Sequence, residues 1–148
     1  MRMKTAPKSF LLCGASLFGL LLLTVGAAGA GIFMEQAVSA DGTGSLTLPA
    51  IAGGSSQTYV LAISNRNPAD VTMVSGAGLV WVEHEDQCAA RGAMDARLWT
   101  AQGGPSGSFQ VQINTDNSKP IAAVLARFSG VGSAGSSSSQ NGNGVNGA

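Results

Sequence analysis

The pattern of apolar and polar positions divides the chain into three unlike stretches. From Ser9 to Met34 no charged residue occurs, and apolar residues crowd together as Phe10-Leu11-Leu12, Leu17-Phe18 and Leu20-Leu21-Leu22-Leu23. Arg2, Lys4 and Lys8 precede this run. A charge at the centre of a bilayer costs ~2.5–3.5 kcal/mol, and basic flanks stay on the cytoplasmic side. The pattern therefore predicts a hydrophobic helix that sends the following chain outward. Small residues at the −3 and −1 positions, which the processing peptidase requires, occur at Val38-Ser39-Ala40 before Asp41 and at Ala28-Gly29-Ala30 before Gly31. The first is the favoured point. The run is also long enough to cross a hydrocarbon core of ~30 Å as an uncleaved anchor, although Gly26 to Gly31 is rich in Gly and Ala. Residues 1–40 are read as a signal peptide or retained signal anchor, and any membrane contact is confined to that segment.

From Asp41 the period changes to that of strands. Phe109-Gln110-Val111-Gln112-Ile113 alternates strictly between turn-forming stretches, which predicts a strand with one apolar face. Gln57 to Ser64 places Tyr59, Leu61 and Ile63 on one face and Val60 and Ala62 on the other. Ile121 to Phe128 is apolar apart from Arg127, the pattern of a strand covered on both faces. Shorter candidates are Ser45–Leu48, Val71–Val74, Leu79–His84 and Ala96–Ala101. About seven short strands punctuated by Gly, Pro, Asn and Ser predict an all-β antiparallel sandwich over residues 41–129. Residues 130–148 lack charge and aromatics. They cannot offset an ordering cost of ~1–2 kcal/mol per residue, and are expected to form a flexible, disordered tail.

Composition narrows the function. The 148 residues carry no formal net charge, yet the three bases before Ser9 mask an outer portion with five basic and seven acidic residues. Such a surface lacks the positive field that neutralises phosphates, which argues against a nucleic-acid partner. Cys13 lies in the export segment, leaving Cys88 as the one outer thiol. No intrachain disulfide is then available, and Cys88 is expected to be buried as a small hydrophobe.

Several stretches resemble a β-sandwich module of bacterial and phage surface proteins. Ser45-Leu46-Thr47-Leu48-Pro49 and Ala52-Gly53-Gly54 lead into the Tyr59–Ile63 strand. A tryptophan strand follows at Gly78-Leu79-Val80-Trp81-Val82, then Arg97-Leu98-Trp99, and the closing aromatic-Ser-Gly-Val signature is Phe128-Ser129-Gly130-Val131. The resemblance implies an immunoglobulin-like or jelly-roll-like sandwich that is adhesive or contacts glycans rather than acting as an enzyme. Members of that group continue past the signature through a Ser/Gly-rich loop into further strands. This chain ends in that kind of loop, so the expectation is either a sheet with an open edge for pairing with another chain, or a fragment of a longer protein.

The densest polar cluster is Glu83-His84-Glu85-Asp86-Gln87-Cys88. Its residue types are those of metal sites: His84 and Cys88 suit zinc, while Glu85 and Asp86, with Asp95, offer oxygens for calcium. Glu83, His84, Glu85, Asp86 and Cys88 form the candidate metal set, from which a metal-assisted hydrolase is the least favoured reading. Glu83 and Asp95 are a conceivable glycosidase pair across a hairpin, but Arg97 offers a simpler role as their counter-charge. The plainer reading of the cluster is a solvated hairpin loop running to Met94. Trp99 and Tyr59 are the candidate ligand-binding aromatics, because sugar faces stack on aromatic rings. Trp81 is assigned to the core. No catalytic residue and no cofactor are indicated, and the partners considered are surface glycans or another protein chain.

Overall fold

The computed structural model describes residues 31–66, 69–89 and 93–139. Strand β1 runs over Phe33–Thr43, β2 over Leu46–Thr47, β3 over Ile51–Ala52, β4 over Thr58–Arg66 and β5 over Val71–Ser75. They are followed by β6 (Val82–Ala89), β7 (Met94–Gln102), β8 (Ser108–Phe109), β9 (Gln112–Thr115) and β10 (Pro120–Ser129). The expected hydrophobic helix lies outside the described residues. Among those residues no helix is long and apolar enough to cross a membrane.

Five strands form the main sheet in the order β1-β10-β4-β7-β6, and every neighbouring pair is antiparallel. The smaller sheets, β2-β9-β5 and β3-β8, are two parts of one ribbon. Leu46 and Ile51 face Ile113 and Phe109 respectively, and the Leu48 N–H donates to the Val111 carbonyl between them at 2.9 Å. The break at Gln110-Val111 splits what alternation predicts as a single strand. The alternation itself persists, since Val111 and Ile113 are both fully buried.

One apolar cluster joins these sheets. Tyr59, Leu61, Ile63, Ile121, Ala123 and Leu125 of the main sheet pack with Leu46, Leu48, Ile51, Val111 and Ile113 of the ribbon. The period of two explains the choice of residues: Ile63 is buried while Ala62 and Ser64 beside it are exposed, as alternate side chains leave opposite faces of a strand. β10 departs from expectation here. It is covered on one face only, and Ala122 and Val124 remain exposed.

β1 runs through Ala40–Asp41 and pairs with β10 from Phe33↔Ser129 to Thr43↔Pro120. Two other expectations are corrected. The expected strand at Leu79–His84 starts later, because Ala77 and Gly78 both take positive φ (55° and 67°) and form a turn closed by Leu79 N–H to the Gly76 carbonyl. β6 then continues to Ala89, which turns the supposed solvated acidic loop into part of the sheet.

The Phe128-Ser129-Gly130 stretch has a local structural requirement for glycine. Phe128 and Ser129 end β10, and Gly130 follows at φ +76°, where an added Cβ would collide with the Gly31 carbonyl. Only glycine both adopts that conformation without strain and admits the neighbouring backbone. Beyond it, residues 131–139 contain no strand but pass β6, where the Ser137 hydroxyl donates to the His84 carbonyl at 3.3 Å.

Candidate functional site

The inner face of the main sheet is apolar over most of its area and ionic at one corner. β7 carries Asp95 and Arg97 two residues apart, so both side chains point inward. Arg97 is the hub of this corner. Its Nε donates to Asp95 Oδ2 at 2.7 Å and Nη1 to Glu83 Oε1 at 3.3 Å, while Nη2 lies 2.9 Å from Asp70 Oδ1 and 3.2 Å from Asp86 Oδ2. The guanidinium and Asp95 are shielded, with side-chain exposures of 7% and 0%. Burial alone would lower the Arg97 pKa, but the bond to Asp95, the charges of Asp95 and Asp86 and the bond to Asp70 outweigh it and hold Arg97 above its ordinary value. Asn65, opposite Asp95 on β4, is also buried and donates to the Ala69 carbonyl at 2.6 Å. That bond holds Ala69, whose neighbour Asp70 reaches Arg97.

A bulge makes the cluster possible. On a regular strand Glu83 and Asp86, three positions apart, would lie on opposite faces. The β6–β7 register shifts between Glu83 and Glu85, so that Glu83 faces Trp99 and Asp86 faces Arg97. One inserted residue re-aims the later side chains, and both carboxylates reach the same guanidinium. His84, within the bulge, places Nε2 2.7 Å from Thr100 Oγ1.

The bulge also divides the candidate metal set. Glu85 and Gln87 line the outer face of the sheet, whereas Asp86 and Cys88 sit opposite Arg97 and Asp95. Asp86, Cys88 and Asp95 bring one ligand atom each within 4.8 Å of one another; Glu83, His84 and Glu85 are not part of that group. Desolvation, then the neighbouring Asp95 carboxyl, raise the Asp86 pKa; Arg97 opposes them and Glu83 adds to them. On the outer side, the Ser137 and Ser139 hydroxyls hold the Glu85 carboxyl below its ordinary range. Cys88 is exposed rather than buried, because β6 is the edge of the main sheet.

The candidate aromatics part company. Tyr59 is completely buried, its ring edge-on to Phe109 with centroids 5.2 Å apart, so it has no free face on which a sugar could stack. Trp99 and Trp81 are both partly buried against the core. Glu83 and Asp95, considered as a carboxylate pair, are held by the same Arg97. Asn65 and Asp70 were not evident from the sequence, since only the fold brings Asp70 to Arg97 and sets Asn65 opposite Asp95.

The outer face of the main sheet is built of small side chains. Ala62, Ala96, Leu98, Ala122 and Val124, bordered by Ser39, Ser64, Glu85 and Gln87, floor an open groove of about 690 Å³, and Ser138 and Ser139 form one wall. Large outward side chains would fill this space; Ala and Ser leave the sheet's backbone relief accessible. No protein-family model matches the chain, and neither a curated protein nor a solved structure is significantly similar to it.

Proposed function

We propose that this protein is an exported, non-catalytic β-sandwich module that contacts an extended surface ligand, a glycan chain above all, through the outer face of its five-stranded sheet. The groove carries this reading. It is broad, open and lined by Ala, Val and Leu with Ser and Gln at its margin, a surface on which an extended chain can lie. In the sandwich, the β2-β9-β5 and β3-β8 ribbon forms the second layer over the shared core, and the outer face of the main sheet is left for binding. The charge-free run after Arg2, Lys4 and Lys8 supports export. Processing after Ala30 preserves β1, whereas processing after Ala40 would remove eight of its eleven residues, counted from Phe33.

A glycan array probed with the labelled full chain tests the reading, with Ala96→Arg as the control variant. Arg at position 96 projects a long charged side chain into the groove without entering the core. Glycan binding by the parent, lost in Ala96→Arg at unchanged circular dichroism, is the expected result. Binding that Ala96→Arg leaves intact would remove the outer face from the account.

Edge pairing is the second reading, and β1 favours it. This strand borders the main sheet, and at its start Ile32, Phe33 and Met34 are 65%, 60% and 65% exposed. A long edge strand with an apolar end is a template for another strand. Sedimentation velocity over a hundredfold concentration range decides it: a constant monomer excludes self-pairing, and a dimer lost in Phe33→Lys supports it.

A further inference from the structure

We propose that Asp86, Cys88 and Asp95 bind one divalent transition cation of the zinc class. Their ligand atoms lie within 4.8 Å of one another, close enough to surround a single ion after small rotamer adjustments. β6 and β7 hold them there, because Cys88 stands directly opposite Asp95 and Asp86 directly opposite Arg97.

A second observation points to a ligand. Asp95 has a side-chain exposure of 0%, and while Arg97 Nε occupies Oδ2, Oδ1 receives no hydrogen bond. A buried carboxylate oxygen without a donor is costly, and a cation relieves that cost directly. Asn65 repeats the pattern one strand away. It faces Asp95 on β4, is 2% exposed, and its Oδ1 also lacks a donor. A further buried oxygen without a donor thus stands on the strand next to Asp95.

The local charge permits a cation despite the neighbouring guanidinium. Among the described residues, four carboxylates, from Asp70, Glu83, Asp86 and Asp95, share Arg97 as their one cationic partner, an excess of acidic over basic groups at this corner. Arg97 then has the role that hydrogen-bonding partners have around metal ligands, fixing the Asp95 carboxylate through one oxygen while the other turns to the ion. The donor types select the metal. Calcium and magnesium take oxygen ligands, whereas a thiolate beside carboxylates suits zinc and its first-row neighbours. Cys88 is exposed, which supplies both the path of entry and room for a water ligand. Binding requires the thiolate, so the Cys88 proton leaves to solvent as the ion enters.

Cobalt(II) is the probe, because zinc is spectroscopically silent. The full chain, reduced and stripped of metal by chelation, is titrated with Co²⁺ and then back-titrated with Zn²⁺. The expected result is a thiolate-to-cobalt charge-transfer band that saturates at one equivalent, is displaced by zinc and is absent in Cys88→Ser. Asp95→Asn also disturbs Arg97 and can fail to fold, so the decisive variant is Asp86→Asn, whose parent side chain is 48% exposed. Asp86→Asn should weaken Co²⁺ binding by about 10-fold or more with unchanged circular dichroism. The absence of a saturable band would overturn the proposal. A band that Asp86→Asn leaves at its original affinity would also overturn it, marking an isolated surface thiol.

Discussion

Arg97 shows how a single side chain can organise part of a fold whose interior is mostly apolar. It is nearly enclosed and engages carboxylates from the β4–β5 loop, β6 and β7. Removing one partner of a buried ion pair leaves the other charge desolvated, at a typical cost of about 3–5 kcal/mol. Arg97→Met should therefore lose about that much in urea unfolding, chiefly because Asp95 is stranded. Asp70→Asn should lose under about 1 kcal/mol, since its side chain is 77% exposed and exposed ion pairs contribute little. If both variants unfold at the same urea concentration, Arg97 is not the hub described. The Asp95-x-Arg97 spacing was legible in the sequence. The convergence of four acids on it was not, because it depends on a bulge and on a loop anchored by Asn65.

Tyr59 allows a pH test at a single position, since the chain has one tyrosine. Burial raises its phenol above the ordinary value of 10.0, against the opposing charge of Arg127 and the Gly54 backbone. A raised pKa in the folded state means that the protonated phenol favours folding. That contribution is complete below the unfolded value near pH 10 and is lost as the pH rises through the folded value. Spectrophotometric titration should show tyrosinate forming above pH 10, with stability falling over the same range. Tyr59→Phe should flatten that alkaline decline. Phenol ionisation at or below pH 10 in the folded protein would contradict the burial argument.

The strands differ in how much of their structure the sequence discloses. β4 was readable as far as Ser64 because its inward Tyr59, Leu61 and Ile63 alternate with Val60, Ala62 and Ser64, and burial follows that period through Asn65 and Arg66. β1 was not. Its residues, Phe33-Met34-Glu35-Gln36-Ala37-Val38-Ser39-Ala40 and onward, merge with the end of the apolar run and include a small-residue pattern suited to processing. What makes them a strand is ten-residue pairing with β10, a non-local contact that no local pattern contains. β6 was misread because its acids suggested a loop. Opposing side chains on β7, led by Arg97, make a strand of those acids favourable.

Two predictions follow from the elements themselves. A chain that begins at Asp41 keeps only the last three residues of β1 and leaves one edge of β10 unpaired. It should melt at lower temperature and aggregate more than a chain that begins at Gly31; equal melting temperatures would show that β1 adds nothing to the fold. Gly130→Ala forces a side chain into the left-handed region and against Gly31, and should cost about 1–3 kcal/mol. If Gly130→Ala were neutral in the same unfolding assay, the signature's glycine would have no structural basis.

At the level of the whole molecule, the two faces of the main sheet differ in character. The inner face holds the apolar core and the Arg97 corner, while the outer face holds Ala, Ser, Val and Leu around an open groove. Composition alone hid this division. The 45% hydrophobic content sums a charge-free N-terminal run, a core and an exposed apolar face, and only the register of the strands separates the last two. The proposed export and a sheet that includes β1 are reconciled by processing after Ala30, which removes the segment before Gly31 and keeps everything from Phe33. N-terminal sequencing of the protein recovered outside the cytoplasm tests this most directly. The predicted first residue is Gly31; a chain starting at Asp41, or an intact chain from Met1 found only in the cytoplasm, would contradict the account.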